Sequence, residues 1–375
     1  MEEFKTYTLE ELSIGKGTYG IAASAVPYDS QKPTYLRITD INDDGTINQA
    51  GLMSVDAPNA SEFLLKANDL VFARTGNSTG RTYFYEGTES PLVYAGFLIK
   101  FSIDEKKVNP RILKYYTHSQ TYYNWVKSFD TGGTRGNINA KTYGSMPICL
   151  PISRKTQDKI VELLSSLEQK IELNRRINDN LEQQAQALFK AWFVDNASYS
   201  GASISDYFLP SRGKNLLTSD AKGGKVPVVA GGLTPSVYHD VANTKAPVIT
   251  ISASGANAGY VNLWGIPVWS SDSSYIDDTI TSNIYFWYNL LKYNQRNIYE
   301  SQTGSAQPHI YPKHIGNLLI PDLDMGKVEC YDSIVVSMYL QINEIQQENQ
   351  RLSALRDALL PKLMSGELKI NSLNN

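Results

Sequence analysis

Residues 131–151 read TGGTRGNINAKTYGSMPICLP, and residues 303–323 read TGSAQPHIYPKHIGNLLIPDL. This is one pattern written twice. Thr131 pairs with Thr303, Gly132 with Gly304, Ile138 with Ile310, Lys141 with Lys313 and Gly144 with Gly316, each pair 172 residues apart. Each stretch leads into a long heptad pattern, over 157–193 in the first copy and 327–363 in the second. There Ile171 pairs with Ile342, Asn178 with Asn349 and Leu181 with Leu352, at a spacing of 171. Two similar halves predict a pseudo-two-fold body, and duplex DNA is a partner with matching symmetry.

The duplication continues upstream. NDLVFARTGNSTGRTYF (68–84) matches KAPVITISASGANAGYV (245–261), with Gly76 on Gly255 and Gly80 on Gly259, both 179 apart. Alternation and turn residues predict strands at 35–41, 68–76 and 145–151, and a buried strand over 90–101. Helical spacing covers 109–129, with Asn109 as N-cap and Pro110 in the first turn. The aromatic stretch 283–299 takes the corresponding place in the second half. The expected fold is therefore α+β, with two similar mixed α/β domains at residues 1–155 and 195–326. They alternate with a central helix (156–194) and a distal helix with tail (327–375).

The first heptad seam is Ile160, Leu164, Leu167, Ile171, Asn174, Asn178, Leu181, Ala185, Leu188 and Trp192. The second is Val335, Met338, Ile342, Ile345, Asn349, Leu352, Arg356, Leu359 and Leu363. A period of 3.5 makes a left-handed coiled coil. Such a helix, roughly 50 Å long at 1.5 Å per residue, needs a partner along its whole length, and the simplest is its twin. Asn178 and Asn349 are expected to fix the register by meeting across the seam, against the alternative of a locally exposed seam. Pro361 should kink or end the second helix. A two-fold axis across a duplex requires the helices to run antiparallel, which separates the domains by on the order of 15 base pairs at most.

Composition sets the bounds. With 42% apolar residues, 375 residues suffice for two or more packed domains. No stretch resembles a signal peptide or a run of roughly 20 apolar residues, which places the chain in the cytoplasm and off the membrane. Cys149 and Cys330 cannot build a disulfide framework, and Cys149 reads as a small buried hydrophobe. A net charge of −3 argues against broad non-specific DNA binding, but leaves room for positive charge confined to a few reading loops.

These features resemble the specificity subunit of type I restriction-modification systems. The match rests on the repeated Gly-containing loop, the apolar strand ending in proline and the long helix. It rests further on LEQQAQALFKAWFVD (181–195) and RLSALRDALLPKLMSGEL (351–368), which look like the family's central and distal regions. The resemblance implies two target-recognition domains, each reading half of a split DNA site. It also implies docking of two adenine methyltransferase subunits and, in the full complex, of motor-nuclease subunits.

The candidate reading residues lie on the duplicated loops. In ARTGNSTGRTY (73–83) they are Arg74, Thr75, Asn77 and Arg81; arginine can grip guanine and asparagine adenine with two hydrogen bonds. An ion pair with a nearby carboxylate is the alternative for Arg74. The matching loop ISASGANAGY (251–260) offers Ser252, Ser254 and Asn257, with no arginine. In the loop at 131–141 the candidates are Thr134, Arg135, Asn137 and Lys141. Its counterpart at 303–313 offers Gln307, His309, Tyr311 and Lys313. Lys141 and Lys313 suit phosphate contacts, while Ile138 and Ile310 suit packing of loop to domain. Arg212, Lys214, Lys222 and Lys225 form a basic cluster that reads equally well as a solvated loop. Tyr122, Tyr123 and Trp125, with Tyr285, Trp287 and Tyr288, read as core.

No residue is assigned to catalysis, to a metal or to a cofactor. Gly15, Gly17 and Gly20 lack the strand and helix that a dinucleotide site requires. The four histidines have no zinc-type spacing. The expected function is non-enzymatic recognition of a bipartite DNA site by a ring-like body closed by the antiparallel helices. The alternatives are the same role beside a combined methyltransferase-nuclease chain, or a coiled-coil scaffold whose heads bind proteins.

Overall fold

The computed structural model describes residues 3–87, 91–129, 136–195, 197–235, 237–304 and 307–368. The heptad patterns fold as two long helices, Arg154–Phe193 and Met325–Ser365. The chain divides into two compact units, Met1–Lys170 with Leu352–Asn375, and Ile171–Arg351. Each helix is thus shared out, one half to each unit.

In the first unit a four-stranded antiparallel sheet has the order Thr18–Tyr19, Leu98–Ser102, Asp69–Ala73, Thr82–Tyr85. Asp69–Ala73 is buried throughout, as a central strand covered on both faces is. A second sheet has the order Ala25–Pro27, Met53–Val55, Thr34–Leu36, Leu92–Tyr94, the last two strands parallel. Phe4–Thr8 pairs with Pro147–Pro151. The main core joins Phe72, Phe101, Tyr122 and Tyr143 to Ile160 and Leu164 of the first long helix and to Leu360 and Leu363 of the second.

The second unit carries the same main sheet order: Ser211–Arg212, Ser273–Ile276, Val248–Ser252, Val261–Trp264. A smaller sheet orders Val237–His239, Val226–Val229 and Trp269–Ser270, again with one parallel pair. Its core joins Phe286 and Trp287 to Phe189 and Phe193 of the first long helix and to Tyr331 and Val335 of the second. The Lys327 amine donates to the Trp192 carbonyl (2.7 Å), Tyr331 Oη to the Ala185 carbonyl (2.9 Å) and Asn174 Nδ2 to Asn349 Oδ1 (2.8 Å). These contacts run forward along one helix and backward along the other, so within this unit the helix halves are antiparallel. Among the described residues no helix is long and apolar enough to cross a membrane.

Several expectations need correction. Stretch 90–101 is not one strand: it breaks at Ala95–Gly96 into Leu92–Tyr94 and Leu98–Ser102, which enter different sheets. Of the expected 35–41 strand only Tyr35 and Leu36 lie in a strand, Thr34–Leu36. Stretch 109–129 forms two helices, Pro110–Tyr116 and Gln120–Lys127, because Ser119 caps a new start; Asn109 caps the first as expected. Cys149 is exposed, since Ile148 and Leu150 take the inward positions of its alternating strand. Pro361 lies inside its helix, which runs on to Ser365, so of the two expected outcomes ending the helix there does not occur.

The seam also differs in detail. Toward its end the buried stripe of the first long helix passes through Ala185, Phe189 and Phe193, while Leu188 and Trp192 are half-buried. A helix of 3.6 residues per turn drifts off a 3.5 repeat unless it supercoils. Asn349 meets Asn174 rather than Asn178, and Asn174 Nδ2 also reaches Glu348 Oε2 at 2.6 Å. On antiparallel helices a step forward on one is a step back on the other, so Asn178 lies a turn away from Asn349. Its Oδ1 is buried without a hydrogen bond among the described residues.

Replacing the buried Asn174 by leucine leaves the half-buried Asn349 Oδ1 without its donor. The expected loss is about 1 kcal/mol of stability. The double variant Asn174→Leu/Asn349→Leu should be less destabilised than the single one in urea unfolding, because both polar partners are then gone. A double variant less stable than the single one would contradict the pairing.

Candidate nucleic-acid interface

In both units the strand at the centre of the main sheet ends in the same turn. After Asp69–Ala73 the chain reverses through Gly76 (φ 74°) and Gly80 (φ 88°); after Val248–Ser252 it reverses through Gly255 (φ 82°) and Gly259 (φ 87°). These positive φ values are open to glycine at little cost. The backbone bonds that close the two turns match. Gly80 N donates to Ala73 O (3.0 Å) as Gly259 N does to Ser252 O (2.7 Å). Arg81 N donates to Ser78 O as Tyr260 N does to Asn257 O, both 2.9 Å.

The second duplicated loop docks on the first. Ile138 N donates to Arg74 O, and Ile310 N to Ala253 O, each at 2.9 Å. Both isoleucines are 1% exposed and serve as the plugs that seat the loops. Bridges Thr75–Asn137 and Ser254–His309 extend the contact. The inner carbonyl of each turn is held from below, that of Gly80 by Tyr122 Oη (2.7 Å) and that of Gly259 by Gln295 Nε2 (2.8 Å). Most of the described candidates, scattered along each half of the sequence, thus converge on one paired-loop surface per unit.

On the first surface the Arg74 guanidinium lies 5.3 Å from the Tyr19 ring and 5.6 Å from the Phe97 ring, within cation–π range. Its Nη1 reaches Asn137 Oδ1 and its Nε the Gly96 carbonyl, both at 3.4 Å. Among the described residues it forms no ion pair, so the carboxylate alternative is not the one adopted. Asn77, Asn137 and Lys141 are exposed, and Thr75 is half-buried. Arg81 is turned to a structural task, with Nε on Asp43 Oδ1 at 2.7 Å and Nη1 on the Ile41 carbonyl at 3.1 Å. Thr134 and Arg135 lie outside the described residues.

On the second surface Tyr311 is 42% exposed and stacks on His309 at 6.0 Å and 15°. Gln307 and Lys313 are exposed beside them. Ser252 does not belong to this surface: it is buried in the central strand, its hydroxyl directed at the Ala230 carbonyl. Ser254 binds the Asp272 carboxylate, and Asn257 Nδ2 reaches the Gly231 carbonyl at 3.4 Å, so both brace the loop. Tyr19, Phe97 and Asp272 escaped the sequence reading because they come from strands and turns distant in the chain. The basic cluster at 212–225 does not act as one, since Lys222 faces Asp240 and Arg212 faces Asp272.

Other readings resolve simply. Tyr122, Tyr285, Trp287 and Tyr288 are core; Trp125 packs partly buried against it, and Tyr123 is exposed. Gly17 and Gly20 allow close packing, since a Cβ would lie 2.4 Å from the Phe101 ring at one and 2.3 Å from the Ala95 carbonyl at the other. Among the described residues no group of three or more His, Cys, Asp or Glu side chains is placed to hold a metal ion.

Residues 1–183 match the family model described as type I restriction modification DNA specificity domain. That match covers just under half of the chain. It is 28% identical over 199 residues to the type I restriction enzyme HindI specificity subunit of Haemophilus influenzae, covering 50% of this chain and 42% of the relative. It is 24% identical over 301 residues to the MjaIX specificity subunit of Methanocaldococcus jannaschii, covering 70% and 69%. The chain thus spans less than half of the first of these relatives. The crystal structure of a type I restriction-modification system S subunit from M. genitalium has the same fold, with a TM-score of 0.60 and 18% identity over 96% of each chain.

The matched turns predict a matched sensitivity. A Cβ on Gly80 would lie 2.6 Å from Val126 Cγ1 in a left-handed conformation. Gly80→Ala should therefore cost roughly 1–3 kcal/mol in urea unfolding. Gly51→Ala, at φ 89° with nothing within 4 Å of the new Cβ, isolates the backbone share and should cost less. Equal losses would mean that packing beneath the turn contributes nothing.

Proposed function

We propose that this chain is the DNA sequence-recognition subunit of a type I restriction-modification complex, and that each unit reads one half of a bipartite site. The observation that carries this is the pair of loop surfaces: identical backbone hydrogen bonds support different side chains. A constant scaffold with variable tips is what two readers of two different short sequences need. The match of residues 1–183 to the DNA specificity family model supports the same role. Arg74, Asn77 and Asn137 on one surface, and Gln307, His309 and Tyr311 on the other, are the proposed base-facing groups. Lys141 and Lys313 are proposed to contact phosphate.

The antiparallel helix halves support a further part of the reading, in which the pseudo-two-fold helix pair acts as a coiled-coil spacer between the half-sites. Adenine methyltransferase subunits and, in the full complex, motor-nuclease subunits supply the chemistry; this chain supplies the address and no catalytic group. The complex works in the cytoplasm on double-stranded DNA.

Selection from random duplex pools, with and without a methyltransferase partner, tests this directly. The complex should enrich two short motifs at a fixed spacing, whereas a protein-binding scaffold would enrich none. Arg74→Ala should relax preference within one half-site only, by about 1–3 kcal/mol if the contact is two-pronged. A uniform loss over all sequences would place Arg74 on phosphate instead. Inserting two heptads into both helices should widen the preferred gap by several base pairs; an unchanged gap would show that the helices do not set it.

A further inference from the structure

The ladder register pairs two residues that sequence comparison does not. Tyr19 lies across from Ile99, and Ile99 from Phe72. Arg212 lies across from Ser274, and Ser274 from Ile251. Phe72 and Ile251 are 179 residues apart, the spacing of the matched glycines. Tyr19 and Arg212 therefore hold the same place on the edge strand of equivalent sheets.

The two surfaces build a cation–ring pair from opposite sides. In the first unit the loop supplies the cation, Arg74, and the edge strand supplies a ring, Tyr19. In the second, the position of Arg74 is taken by Ala253, which cannot reach out. There the edge strand supplies the cation, and the Arg212 guanidinium lies 5.9 Å from the ring of Tyr311 on the docked loop. Arg212 Nη2 donates to Asp272 Oδ1 at 2.8 Å, and the other oxygen of that carboxylate takes the Ser254 hydroxyl. The guanidinium is thus braced by a group tied to the Gly255 turn, with its side chain still 42% exposed.

We propose that Arg212 reads a guanine in the half-site addressed by the second unit, with Asp272 as its positioning residue; this rests on the DNA-recognition reading above. The carboxylate decides between base and phosphate. It cancels much of the positive charge that would draw a phosphate, and would itself repel one. It leaves the fork's remaining N–H donors in a fixed plane, which is what the O6 and N7 acceptors of guanine require.

The test uses the assembled specificity–methyltransferase complex on randomised duplexes, with wild type, Arg212→Ala, Arg212→Lys and Asp272→Asn. Arg212→Ala should reduce preference for guanine at one position by about 10- to 100-fold. The other half-site should be selected as in wild type, which also reports an intact assembly. Arg212→Lys should fail to restore the preference, because an ammonium lacks the planar fork. Asp272→Asn should weaken the same position by a smaller factor. An unchanged base preference, or an equal loss on all sequences with a shallower salt dependence, would overturn the assignment to a base while leaving the DNA-recognition reading in place. Wild-type complex that enriches no sequence would overturn both.

Discussion

Neither long helix can stand alone. Each carries one apolar stripe over about forty residues, and a helix of that kind is stable in water only where the stripe is covered. Each unit covers its half of both stripes with its own aromatic core. Ile160 and Leu164 lie with Leu360 and Leu363 under one sheet; Phe189 and Phe193 lie with Tyr331 and Val335 under the other. The paired loops inherit their support from this burial. Tyr122 belongs to the core that holds the helix ends, and its hydroxyl also holds the carbonyl of Gly80.

The support shared by the two halves and the tips that differ are kept apart physically. Backbone groups, buried isoleucines and positive-φ glycines form the support, and they recur in both halves because the turn geometry leaves few substitutes. The tips face solvent and bear no such constraint. Asn137 in one half is His309 in the other, and the cation moves from Arg74 on a loop to Arg212 on a strand. Such an arrangement allows the exposed side chains to change without disturbing the fold.

Much of this was legible beforehand because it depends on local periodicity or exact spacing. Both long helices were placed to within a few residues, and the paired glycines at 76/255 and 80/259 do share one backbone geometry. What escaped depends on neighbours remote in the chain. The run 90–101 is mostly apolar, and the single Gly96 does not by itself mark the break that sends its two halves into different sheets. Cys149 could not be told from its inward neighbours until Phe4–Thr8 was known to pair with that strand. Asn178 looked like the partner of Asn349 because duplication equates them, yet antiparallel packing brings Asn174 there instead.

The order of residues alone determined that the chain is a duplication, where its helices and glycine turns fall, and which loops vary between copies. Repetition and period are properties of a single strand of text, and they need no partner to be read. Tertiary structure alone decided which side chains share a surface: that Arg81 is committed to Asp43, that Ser252 is buried, and that Arg212 stands where Tyr19 does. Those outcomes follow from strand pairing and packing across scores of residues, and contacts of that range leave no periodic trace in the sequence.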